Sequence, residues 1–272
     1  MKRLLLFGST GELGSHLFNI LKDTYELIPI SYSDLDFNIF YLIEDLILKK
    51  EPDIVLNCMA MADIDRCEKN KNEAYNINSV SVKHIVEALK VTESYFINIS
   101  TDYVFSGNKG NYCETDIAEP INYYGLSKLI GDTYTLSYDN SLVLRTSWGF
   151  LKKGFPMFVY NKLNKNEKIY VNPGFYSPIS ASYLAQAIKQ IITLNKTGIL
   201  NIAGEKSSRL RIAKRMVEIN NLKETVEEKS IEMNIRVPYD CSLDINKAKK
   251  LIDFNFYDLE ANLKTINKTL FE

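Results

Sequence analysis

The sequence predicts an α/β fold, a doubly wound parallel sheet followed by a smaller C-terminal lobe. Three observations predict it. Short apolar runs alternate with amphipathic helical stretches through the first half of the 272 residues. The runs are apolar throughout, as strands covered on both faces must be, and a turn carrying three glycines follows the first run directly.

The elements justify this in order. "RLLLFG" reads as the first buried strand, and a helical pattern from Glu12 to Leu21 follows it. "ELIPIS" is the second strand, "IFYLIEDLILKK" a helix with its apolar residues on one face, and "DIVLNC" the third strand. One long helix is expected from Asn72 to Leu89, then the strand "SYFINIS", a helix from Asn122 to Leu136, and the strand "SLVLRTS". Beyond Trp148 the rhythm loosens. "GFPMFVYNKL" suggests a helix, "KIYVNP" a short strand stopped by Pro173, and "SASYLAQAIKQIITL" a strongly periodic helix. "GILNIAG" is another strand, with helices from Ser207 and Asp244 after it. The expected division is residues 1–149 for nucleotide binding and 150–272 for a substrate lobe, with some crossover elements returning to the first.

Composition narrows the function classes. A formal net charge of −1 offers no general attraction to nucleic acid or to an anionic membrane, so small molecules are the expected partners. No apolar stretch approaches the ~20 residues of a membrane-spanning helix, and no signal peptide is expected, because the first apolar run breaks at Gly8. Cys58, Cys67, Cys113 and Cys241 form no C-x-x-C pair, which fits reduced thiols and a cytoplasmic location. With only His16 and His84 available, no metal site is expected. A homodimer is compatible with this composition, although no stretch specifies an interface.

"GSTGELG" places Gly8, Gly11 and Gly14 between a strand and a helix. Residues without Cβ let backbone N–H groups and the helix N-terminus approach a pyrophosphate, while the third glycine permits close helix–sheet packing. This predicts a dinucleotide in a Rossmann-type lobe, held at Gly8, Gly11, Glu12 and Leu13. A structural turn with chance glycine spacing is the plainer alternative. In NAD sites an acid about 20 positions on grips the ribose hydroxyls. Here the second strand runs into "IPISYSD", with serine or tyrosine at the expected place. The absence of an acid there favours NADP(H), or dual use with NAD(H), with Ser31 and Ser33 as candidate phosphate contacts.

"INYYGLSK" sets two tyrosines before a lysine. Side chains four apart share a helix face, so Tyr124 can meet Lys128 while Tyr123 points elsewhere. An ammonium group beside a phenol favours the phenolate, so Lys128 is expected to pull the Tyr124 pKa below its usual ~10 and make it a general acid. Short motifs arise by chance among 17 tyrosines, and the neighbourhood must decide. Ser100 and Thr101 stand at the end of the preceding strand, where parallel sheets bind ligands and where a hydroxyl could hold a carbonyl oxygen. Read alone, Ser100-Thr101-Asp102 is equally a capped turn.

In order and spacing, "GSTGELG", "PDIVLNC", "STDYVFSGNKGNYCETDIAEPINYYGLSKLIGD", "LRTSWGF" and "SPI" resemble the extended short-chain dehydrogenase/reductases, and most closely their dTDP-4-dehydrorhamnose reductase branch. The resemblance implies an NAD(P)-dependent reductase of a nucleotide sugar. It implies that Tyr124 donates the proton, that Lys128 lowers its pKa and holds the nicotinamide ribose, and that Thr101 orients the carbonyl. It further implies Asp36 and Phe37 beside the adenine, Met59, Ala60 and Met61 along the cofactor cleft, and Trp148 on the substrate side. The chain departs from the family where Asp-Gln-x-Gly-x-Pro-Thr is usual: it reads "PGFYSPI", so Pro173, Gly174, Tyr176 and Ile179 replace polar or small residues. Two rivals share the lobe. Sugar-nucleotide dehydratases place a glutamate after the aspartate that here precedes Tyr103, and a regulatory subunit resembling that of methionine adenosyltransferase would bind protein instead.

Overall fold

The computed structural model describes residues 1–35, 39–150, 155–165, 167–220, 226–230, 232, 234–252 and 258–271. Strands and helices alternate from the start: β1 (Arg3–Phe7), α1 (Glu12–Leu21), β2 (Glu26–Ile30), α2 (Phe40–Lys50), β3 (Ile54–Asn57), α3 (Ile64–Lys69) and α4 (Lys71–Tyr75). A π-helical turn (Asn76–Val80) joins α4 to α5 (Ser81–Thr92), followed by β4 (Tyr95–Thr101), α6 (Tyr123–Leu136) and β5 (Ser141–Thr146). Strand registers are parallel throughout this part, and β3, β4 and β5 are buried along their whole length. Their residues Val55, Leu56, Phe96, Ile97, Val143 and Leu144 meet helices on both faces and need no polar alternation.

The later elements are β6 (Trp148–Phe150), α7 (Phe155–Asn164), β7 (Ile169–Val171), β8 (Phe175–Tyr176), β9 (Ile179–Ser180), α8 (Ala181–Leu194), β10 (Gly198–Asn201), β11 (Ser207–Ser208), α9 (Arg209–Ile219), β12 (Val226–Glu228), α10 (Asn246–Lys249) and α11 (Leu259–Phe271). The main sheet has the order β10-β5-β4-β3-β1-β2, so its sixth strand comes from the second half of the chain. The amphipathic face of α8 supplies Leu184, Ile188 and Ile191 to the same core as Leu13 and Leu17 of α1. A separate cluster of Val159, Ile169, Ile212, Met216 and Leu263 organises the C-terminal part.

The helix expected over 72–89 is instead two helices with a π turn between them. At this turn Asn78 spends its side chain on other elements: Oδ1 accepts from Met61 N–H (2.9 Å), and Nδ2 donates to Met61 O (3.0 Å) and Ser127 Oγ (3.0 Å). α6 presses on the widened turn at Gly131, where a Cβ would lie 2.3 Å from Asn78 O. Such turns leave backbone groups off the regular ladder, a feature apolar periodicity does not encode.

Candidate active site

The glycine turn is built by close approach. Gly8 has φ +77°, a conformation that L side chains rarely adopt, and its N–H and that of Ser9 donate to Ile30 O (2.9 and 3.1 Å). A Cβ on Gly14 would lie 2.1 Å from Gly8 O, and one on Gly8 would lie 3.0 Å from Met59 N. Gly11 caps α1 without any side-chain hydrogen bond, so the amides of the first turn face a cradle that a side chain would fill, which suits a pyrophosphate. Leu13 is buried in the core, and only its backbone is left for that task.

At the end of β2 the structure brings in an acid that sequence spacing passed over. Asp34 Oδ2 accepts from Ser31 N–H (2.7 Å) and Ser31 Oγ (2.5 Å), and Ser31 Oγ also meets Ser33 Oγ (2.8 Å). These bonds, the side-chain one first, hold the Asp34 carboxyl below the usual carboxylate range. A tight turn with an aspartate four residues past the last strand residue was the available signal. Asp36 and Phe37 lie outside the described residues.

Beyond β3 the chain stays extended, and Cys58, Ala60 and Ala62 line the cleft while Met59 and Met61 are buried in the core. Of the expected Met59-Ala60-Met61 lining, Ala60 alone puts its side chain there. Period-two alternation from Cys58 onward, read as strand-like, marks the two alanines. Thr10, Ile64 and Ile99 are further lining residues that motif matching did not reach.

The remaining wall comes from β4 and α6. Asn122 caps α6, accepting from Gly125 N–H (2.9 Å). Gly125 lets that end sit against the segment after β4, since a Cβ there would lie 2.1 Å from Tyr103 O. The contact sets the Tyr124 ring edge-on to Tyr103 at 5.8 Å and within hydrogen-bonding reach of Thr101. Tyr123 faces away, with its N–H on Glu68 Oε1 (2.7 Å) and Lys71 over its ring. Glu12, Thr101, Tyr124 and Lys128 thus border one cleft of about 640 Å³, within the ~300–1,000 Å³ usual for ligand sites. Trp148 lies on β6, paired with Ile179, and its side chain is outside the described set.

The electrostatics correct one expectation. The Tyr124 pKa is raised: burial is the main cause, Asp102 adds to it, and the Thr101 hydrogen bond opposes it. Lys128 is 2% exposed and its Nζ donates to Ile99 O (2.7 Å), not to the phenol. Burial lowers the Lys128 pKa, with Asp132 and Cys58 opposing. Sequence spacing gives the shared helix face correctly, but the desolvation of both groups follows from packing. A neutral phenol is the form that can donate a proton.

Asp102 follows Thr101 in a short 3-10 turn. Its carboxylate accepts from Ser147 Oγ (2.6 Å), Cys241 Sγ (3.1 Å) and Thr101 Oγ1 (3.1 Å). Burial pushes its pKa up to about 6 against these bonds. On its far side lies a second cavity of about 70 Å³, where Asp102 and Ser147 face Tyr176 and Arg209. Among the described residues no cluster of three or more His, Cys, Asp or Glu could hold a metal, and no helix is long and apolar enough to cross a membrane.

Comparison with known proteins agrees with this geometry. Residues 1–271 match the family described as the RmlD substrate binding domain. The chain is 35% identical over 219 residues to a dTDP-4-dehydrorhamnose reductase of Aggregatibacter actinomycetemcomitans, spanning 75% of this chain and 74% of that one. A solved structure described as a hypothetical dTDP-4-dehydrorhamnose reductase of Sulfolobus tokodaii is 46% identical, with TM-score 0.91 over 95% of this chain and 98% of that one. The dTDP-4-dehydrorhamnose reductase of Bacillus anthracis in complex with NADP, at 24% identity, shares the fold with TM-score 0.92 over 98% of this chain and 99% of that one.

Proposed function

The chain belongs to the RmlD substrate-binding-domain family, and from that premise we propose that it is an NAD(P)H-dependent reductase of a nucleotide-linked 4-keto-6-deoxysugar, turning dTDP-4-dehydrorhamnose into dTDP-L-rhamnose. The observation that carries this reading is the convergence of Thr101, Tyr124 and Lys128 on a cleft whose other end is the glycine turn. The dinucleotide, held at Gly8, Gly11 and Glu12, supplies a hydride when bound. Tyr124 gives the ketone oxygen a proton so that no alkoxide accumulates, and Thr101, once its hydroxyl proton turns from Asp102 Oδ1, donates to the same oxygen. Lys128, fixed by Ile99 O, would hold the nicotinamide ribose when the dinucleotide is bound. Asp102 holds the Thr101 hydroxyl in place.

NADP(H) is the preferred cofactor, and Asp34 beside Ser31, whose charge resists a ribose phosphate, is the reason NAD(H) is also accepted. Residues 1–149 form the dinucleotide lobe and 150–272 the substrate lobe, with α8 and β10 contributed back to the first, and Trp148 stands on the substrate side. The four free cysteines suit the cytoplasm, and a homodimer is the assembly to test by sedimentation. Incubation of the protein with NADPH and dTDP-4-dehydrorhamnose should consume reduced nicotinamide and yield dTDP-L-rhamnose. Turnover without added reductant would indicate an epimerase or dehydratase instead, and silence with every ketosugar would remove the reading.

A further inference from the structure

Apart from Asp102 itself, the small cavity behind it is walled by residues the reduction step does not use. β8 pairs antiparallel with β11, matching Tyr176 to Ser207 and Phe175 to Ser208, and α9 starts at the next residue, Arg209. This short ladder brings the Arg209 guanidinium over the Tyr176 ring at 4.9 Å. Its helix neighbours Arg211 and Arg215 are paired with Glu205 and Glu218, whereas Arg209 meets no carboxylate among the described residues. Tyr176 Oη is fully buried and has no hydrogen-bond partner among them. A buried hydroxyl without a partner is uncommon and costly, and it calls for a group to complete it.

The chemistry of that group follows from what surrounds it. Asp102 forms one wall, offering an acceptor that repels an anion. Arg209 repels a cation, and an apolar group would leave the phenol unsatisfied. A hydroxyl can accept from Tyr176 Oη or Arg209 and donate to Asp102. The volume of about 70 Å³ is several times the ~10–15 Å³ a single water needs, enough for a substituent but not for a ring. Asp102 and Tyr103 border both this cavity and the large cleft, so a sugar lying against Thr101 would present its edge here.

We propose that Tyr176 and Arg209 are specificity-determining residues that read a ring hydroxyl of the sugar being reduced. The inference rests on the reductase reading above. Its test compares wild type, Tyr176→Phe and Arg209→Gln on the nucleotide-linked 4-keto-6-deoxyhexose and on analogues lacking the 2- or the 3-hydroxyl. With the full substrate, Tyr176→Phe should lower kcat/KM about 10–100-fold and leave the KM for NADPH unchanged. Wild type should lose a similar factor on one deoxy analogue, and on that analogue Tyr176→Phe should add little further loss. Equal kcat/KM for wild type and Tyr176→Phe on every substrate overturns the inference, as does the same loss on all analogues, which marks a purely structural tyrosine. If Tyr176→Phe does not fold, Arg209→Gln on the same pair of substrates decides by the same criterion. Absence of turnover by wild type with any ketosugar removes the reductase reading and this inference with it, an outcome distinct from the other two.

Discussion

Replacing Asp102 with asparagine isolates the cost of holding a charge behind the Thr101 hydroxyl. Burial raises the Asp102 pKa from 3.8 to about 6 even though three side chains donate to it. In the folded protein the proton is therefore bound more tightly than in the unfolded chain. Between those two values the folded state carries a proton that the unfolded state has released, so stability falls as pH rises through this window. At ~1.4 kcal/mol per pH unit of difference, ionised Asp102 makes the fold about 3 kcal/mol less stable at neutral pH than an unperturbed acid would. Below pH ~4 this penalty is absent. Asparagine keeps the shape and one acceptor oxygen but has no proton to lose. The assay is urea unfolding of wild type and Asp102→Asn, extrapolated to water, at several pH values from ~4 to ~7.5. The stability difference between the two should move by about 3 kcal/mol in favour of the variant as pH rises from ~4 to ~6.5, then level off. A difference that is flat with pH would refute the reasoning, because it would mean that the three donors fully compensate burial.

Other outcomes follow from the same geometry. Tyr124→Phe should retain cofactor binding, followed by nucleotide fluorescence, and lose ~10²–10⁴-fold in turnover, while Tyr123→Phe, which faces Glu68 and Lys71, should change turnover less than ~2-fold. Gly14→Ala should weaken cofactor binding and lower the unfolding free energy by ~1–3 kcal/mol, since its Cβ meets the backbone at Gly8; wild-type values in calorimetry would contradict this. Asp34→Ala should raise kcat/KM for NADPH relative to NADH roughly 3–10-fold by removing a negative charge beside Ser31, and an unchanged ratio would show that the carboxylate does not face the cofactor.

The alternation of buried strands and amphipathic helices was legible because parallel sheets impose it on composition: "DIVLNC" and "SYFINIS" have no other reading in that rhythm. The glycine turn was legible for the same kind of reason, since close approach excludes Cβ. The shared face of Tyr124 and Lys128 follows from helical spacing, but the direction of the Tyr124 pKa does not, because desolvation depends on what β4 and the segment after it bring over the ring. Motif position places Met59 and Met61 on the cleft, whereas strand alternation turns them inward. Asp34 escaped because ribose-binding acids are sought at fixed spacing, while a turn can return a carboxylate from three residues further on. The Tyr176–Arg209 contact depends on a two-residue ladder between segments about thirty residues apart, too short to leave a periodic trace.

The position of β10 at the outer edge of the main sheet also orders events in time. Until residues 198–201 have left the ribosome, the edge of β5 away from β4 is an unpaired template open to the wrong partner. The hydrophobic stripe of α1 likewise stays uncovered until α8 has been made. Nucleotide-binding machinery encoded in the first half of the message is thus finished only by the second, and nascent chains halted before that point are the ones a chaperone must shield.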